Sequence, residues 1–221
     1  MRLKWMNLTV IVLAVGCAAP EAVPILGQCG PIPEIYQPDM QPCGCTNLGW
    51  LAPACAPATL ITGPNQGEDH ILLPTAITYT ENPPMSGNHR GDWAKFGEYE
   101  FLPPQRWLHN LEHGAIAFLY NPCAPGPMVE QLREFARHWD PGDGSRFRWV
   151  LTPYQNLPTP IAIVAWRWRA EMSCFDATTA HLFVKAHYLQ APENVGAQGS
   201  YELLWLGDGA TATADAGADA R

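Results

Sequence analysis

The chain has 221 residues, 13 Lys and Arg against 21 Asp and Glu, a formal net charge of −8, and 47% hydrophobic residues. That acidity excludes a nucleic-acid surface, because phosphate contacts need clustered Lys and Arg. Length and apolar content suit one domain with a sizeable core and less ordered ends.

Met1 to Gly16 has the layout of an export signal: Arg2 and Lys4 precede an apolar run from Trp5 to Gly16. The run is shorter than the roughly 20 apolar residues that span a bilayer. Ala14-Val15-Gly16 lead into Cys17, which resembles the lipobox of bacterial lipoproteins, with Ala14 where leucine is usual. The resemblance implies cleavage before Cys17, acylation of Cys17, and a chain held by its lipid in the cell envelope, facing the periplasm or the exterior. An ordinary secretory cut near Ala18 or Ala19 is the alternative. With Cys17 lipidated, Cys29, Cys43, Cys45, Cys55, Cys123 and Cys174 form an even set, as paired thiols in an oxidising compartment require. Four of them lie between Cys29 and Cys55 and are expected to make local bridges; Cys123 and Cys174 are expected to close the main domain. Cys43-Gly44-Cys45 also resembles a copper-binding CxC pair, but disulfides are the expected use in this setting.

Residues 17–63 are dense in Pro, Gly and Cys, which break helix and ladder alike, and read as a tether with a disulfide-stapled loop segment. Residues 64–206 form the expected main domain. There Ala76–Thr80 (AITYT) and Ala115–Tyr120 (AIAFLY) read as strands, the second stopped by Asn121-Pro122. Gly126–Trp139 reads as an amphipathic helix, with Met128, Leu132, Phe135 and Trp139 at steps of three and four and Pro127 in the first turn. Phe147–Thr152 and Ile161–Trp168 read as strands, and Asp176 caps a helix over Ala177–Leu189. Tyr201–Leu206 is a candidate edge strand. Residues 207–221 are a low-complexity tail with little to bury, expected to be disordered. The order of elements predicts an α+β fold: a small, mainly antiparallel sheet with two helices packed on one face.

Chemistry concentrates in the histidines. His70, His89, His109 and His113 cluster, whereas His138, His181 and His187 lie on the predicted helices. In LHNLEHG the i, i+4 spacing of His109 and His113 puts both imidazoles on one side, and a helical turn brings them closest. His89, in the proline-started loop Asn82-Pro83-Pro84-Met85-Ser86-Gly87-Asn88-His89, is the natural third ligand, with His70 a fourth. Such a set suits zinc or copper, and Met85 would add a thioether for Cu(I). Glu112 would orient a histidine from behind.

TYTENPPMSGNHRGDWAKFGEYE followed by WLHNLEHGAIAFLYNP resembles the bacterial domain-of-unknown-function 3105 family. The resemblance is detailed from His70 to Pro122 and looser to Pro192-Glu193, and Met85 stands where the family usually has threonine. It implies His70, Ser86, His89, His109, Glu112 and His113 as the polar site residues, and no reaction. Three functions follow from these residues. The leading one is an envelope lipoprotein that binds a transition metal, copper ahead of zinc. The second is a zinc hydrolase, in which His109-x-x-Glu112-His113 supplies two ligands and a water-activating glutamate, although Gly114 interrupts the helix that such a motif requires. The third is a non-catalytic interaction module whose histidines only tie loops together.

Overall fold

The computed structural model describes residues 55–155 and 157–209. Its elements are β1 (Thr59–Thr62), β2 (Gly97–Tyr99), α1 (Pro104–Glu112), β3 (Ile116–Tyr120), α2 (Gly126–His138), β4 (Trp149–Pro153), β5 (Ile161–Ala165), β6 (Trp168–Met172), α3 (Ala177–His187) and β7 (Trp205–Gly207). The strands form one seven-stranded sheet in the order β1-β6-β5-β3-β4-β2-β7. It is mixed and mostly antiparallel: β4 runs parallel to both β3 and β2, and the other pairs are antiparallel. The architecture is α+β.

β3, β4 and β5 are buried along their whole length. The two-residue alternation of β3 divides the core. Ile116, Phe118 and Tyr120 join Val129, Leu132 and Ala136 of α2 and Ala180, Phe183 and Val184 of α3. Ala117 and Leu119 join Trp107, Leu108 and Leu111 of α1 in a second cluster with Met85, Tyr99 and Leu102. The count of two helices expected from the sequence is therefore short by α1, whose apolar positions interrupt an otherwise polar run.

Four expectations need correction. Ala76–Thr80 is not a strand: its backbone finds no ladder, and its side chains brace loops, the Tyr79 hydroxyl donating to the Asn88 carbonyl at 2.9 Å. The single strand expected over Ile161–Trp168 is a hairpin that turns at Trp166-Arg167, with Arg167 at φ 66°. No Gly or Asn marks this turn, so its usual sequence signal is missing. β1 lies inside the segment expected to be loop and pairs with β6. Finally, Cys55 does not make a local bridge and Cys174 does not pair with Cys123; Cys55 and Cys174 are joined across 119 residues, tying the chain before β1 to the end of β6. Cys123 is also disulfide-bonded. Cys17, Cys29, Cys43, Cys45, the signal segment and the tail from 210 onward lie outside the described residues. Among the described residues no helix is long and apolar enough to cross a membrane.

Candidate metal centre

The site is built at the C-terminal end of α1. Pro104 opens the helix and LHNLEHG closes it: Gly114 N–H donates to Leu111 O and Ala115 N–H to Asn110 O, the paired bonds of a Schellman stop. Gly114 adopts φ 86°, and a Cβ there would lie 2.8 Å from Leu189 Cα, so glycine is required for both conformation and space. The last turn therefore presents His109, Glu112 and His113 together, all at most 4% exposed. The negative end of the helix dipole lies here, which favours a cation.

Polar residues of α1 hold the partner loop. Asn110 exchanges both hydrogen bonds of its amide with the Ala94 backbone, at 2.8 and 3.0 Å, and Arg106 donates to Asp92 O. The loop in turn carries His89, whose backbone bridges that of His70 through His89 N–H to Asp69 O and Ile71 N–H to His89 O. Arg90 reaches back to the carbonyls of Ile71 and Thr75. Three segments distant in sequence thus deliver His70, His89 and the end of α1 to one place.

One ligand atom each from His70, His89, His109 and Glu112 lie within 4.8 Å of one another, so the four form a group able to hold a metal ion. The ring contacts agree: the centroids of His70, His89 and His109 are 4.5–5.1 Å apart. His89 Nδ1 lies 2.9 Å from Gly87 O, and His109 Nδ1 lies 2.8 Å from Arg90 O. A carbonyl only accepts, so both Nδ1 atoms carry a hydrogen, which leaves Nε2 of each ring to take up a proton or a metal ion. His89 Nε2 has no hydrogen-bond donor but faces Glu112 Oε2 at 3.1 Å, and His70 Nε2 is 3.9 Å from the same oxygen. Lone pairs and a carboxylate that converge in this way call for a cation, either a proton or a metal ion.

Burial pushes His109 down to about 4, with the charges of His89, His113 and His70 acting the same way against the hydrogen bond to Arg90 O. At neutral pH His109 is therefore in its ligand form. Burial also lowers His113, against the opposing carboxylates of Glu193 and Glu112. For Glu112, burial works upward, but the hydrogen bond and charge of His89, with His109 and His70 behind it, hold the carboxyl below its ordinary value. Trp93 covers the rings of His109 and His113, at 5.0 and 4.7 Å between centroids.

A family model described as a protein of unknown function, DUF3105, matches residues 70–200. The chain belongs to the DUF3105 family. No curated protein and no solved structure matches it. The four clustered histidines and Glu112 all fall within the part that matches DUF3105.

Two residues expected beside the site, Met85 and Ser86, lie elsewhere. Met85 is 1% exposed in the apolar core, its methyl group beside Gly63, and its backbone carbonyl accepts from Arg167 N–H. Ser86 Oγ donates to Pro64 O and accepts from Gln66 N–H, both at 3.0 Å, which pins two loop segments together. His113 sits beside the group of four, its Nε2 3.0 Å from His109 Nε2 and 3.1 Å from Glu193 Oε2. His138 pairs with Glu134 on α2, His187 stacks on Trp168, and His181 lies near Trp139. Sequence reasoning missed Glu193. Its backbone N–H donates to Glu112 O, and only its place at the end of the resemblance hinted at a role.

Proposed function

We propose that this DUF3105 protein binds a divalent transition-metal ion, zinc or copper(II), in the cell envelope, with His70, His89, His109 and Glu112 as ligands. One observation carries the reading: His89 and His109 each commit Nδ1 to a backbone carbonyl, which leaves Nε2 as the donor atom of both rings, in a group whose ligand atoms lie within 4.8 Å of one another and in which His89 Nε2 faces Glu112 Oε2 at 3.1 Å. Backbone carbonyls fix tautomer and ring orientation in this way behind metal-ligating histidines. Three imidazole nitrogens and one carboxylate oxygen suit zinc or copper(II). The thioether that argued for Cu(I) is packed in the core with Met85. Purely structural histidines would point apart; the ligand atoms of these converge within 4.8 Å of one another. The hydrolase reading has less support, because α1 stops at Glu112 and that carboxylate belongs to the ligand group itself.

The envelope setting rests on the signal-like Met1 to Gly16, on Cys17, and on the Cys55–Cys174 bridge, which suits an oxidising compartment. The lipid on Cys17 would be the membrane contact, and labelled fatty acid should enter the wild type but not Cys17→Ala. For the metal, the full chain is stripped with EDTA, incubated with Zn²⁺ or Cu²⁺, desalted and analysed for metal content. Wild type should retain stoichiometric ion, and His89→Ala and His109→Ala should lose it while keeping the wild-type circular dichroism spectrum. Metal-free wild type after reconstitution refutes the proposal.

A further inference from the structure

Glu112 belongs to two ligand groups. Besides the set with His70, His89 and His109, it forms a second with His113 and Glu193, whose ligand atoms also lie within 4.8 Å of one another. The first set approaches Glu112 from the loops before α1. The second comes from the helix cap and from the chain after α3, where Glu193 is fastened by its backbone to the Glu112 carbonyl at 3.0 Å.

The second set is more than an acidic patch. His113 is 3% exposed, and its Nδ1 is buried without any hydrogen-bond partner. Its Nε2 faces His109 Nε2 and the Glu193 carboxylate at nearly equal distances, 3.0 and 3.1 Å. His109 Nδ1 is committed to Arg90 O, so His109 Nε2 offers only a lone pair there. Once a metal ion takes that lone pair, His113 Nε2 is left facing the Glu193 carboxylate, with Glu112 in the same ligand group. Arg148 donates to the His113 carbonyl and to Asn194. Two carboxylates and four imidazoles thus share a small volume.

We infer that the centre is dinuclear: a second divalent cation of the zinc class is held by His113 and Glu193, with Glu112 bridging it to the first ion. A carboxylate has one oxygen for each ion, and bridged pairs of this kind stand roughly 3.5–4 Å apart. The inference rests on the metal-binding reading of the first site. The two ions differ in access. The first is enclosed, with His70 alone among its ligands substantially exposed; the second lies against Glu193, whose side chain is 54% exposed, and keeps coordination positions for water.

The test measures zinc per chain in the full-length protein, by metal analysis after EDTA stripping, equilibration with Zn²⁺ and desalting. Two ions are expected in wild type and one in Glu193→Ala, whose exposed side chain can be removed without opening the core. His113→Gln should also hold one, and in both variants the remaining ion should keep its affinity within a few-fold. Glu112→Gln should weaken both sites. One ion in wild type overturns the second site and leaves the first standing; none overturns both. Two ions in wild type that both persist in Glu193→Ala also overturn the assignment, because the second would then be bound elsewhere, as at exposed His138 and Glu134.

Discussion

Acid perturbs the centre without changing its sequence. In the unfolded chain His109 takes a proton near its ordinary 6.5, whereas in the folded, metal-free protein burial among other imidazoles delays this to about 4. Between those values the unfolded state binds more protons, so stability falls as pH falls. The contribution of His109 is complete above the unfolded value, declines through the interval, and is gone below the folded one. At about 1.4 kcal/mol per unit the displacement corresponds to about 3 kcal/mol. His113, also lowered, acts in the same direction, and Glu112, held below its ordinary value, extends the loss to lower pH. The assay is urea unfolding of EDTA-treated protein at about pH 7.5 and about pH 4.5, for wild type and His109→Gln. Groups shared by both proteins cancel in the comparison, so acid should cost wild type about 2–3 kcal/mol more than the variant. Equal losses would refute the reasoning, since His109 would then titrate alike folded and unfolded. Saturating Zn²⁺ should move the wild-type loss to lower pH, because the ion competes with the proton for Nε2.

Three further outcomes follow from the geometry. Met85→Leu should leave zinc and copper(II) binding unchanged within about two-fold, and cost less than about 1.5 kcal/mol in urea unfolding, as a volume-conserving core exchange; lost metal would place the thioether at the site. Replacing Cys55 and Cys174 together by serine opens a loop of 119 residues and should lower stability by up to about 5 kcal/mol, read by thermal or urea unfolding under non-reducing conditions. Gly114→Ala forces a Cβ against Leu189 at φ 86° and should destabilise by more than about 1 kcal/mol, while weakening metal binding because the cap that presents His109, Glu112 and His113 must shift.

Much of the site could be read locally. The i, i+4 spacing of His109 and His113 puts both rings on one side in helix or strand, and the glycine after them marks a stop, although α1 itself is not among the two helices the periodicity predicts. The alternation through AIAFLY and the period of GPMVEQLREFARHW located β3 and α2. Locality failed for AITYT, whose composition favours a strand but whose neighbours offer it no edge, and for Trp166-Arg167, where pairing between β5 and β6 imposes a turn that the residues do not announce.

The chain's own order of residues determined which donors exist and set His109, Glu112 and His113 in one short run. Tertiary structure decided the rest. It brought Arg90 O to the Nδ1 atom of His109, and so chose which side of that ring is free. It drew Met85 into the core, joined Cys55 to Cys174, and set Glu193 beside His113. A ligand needs a lone pair aimed at a point, and where a lone pair aims depends on what holds the opposite side of the ring: for His89 that is Gly87 O two residues before it, for His109 it is Arg90 O on another segment.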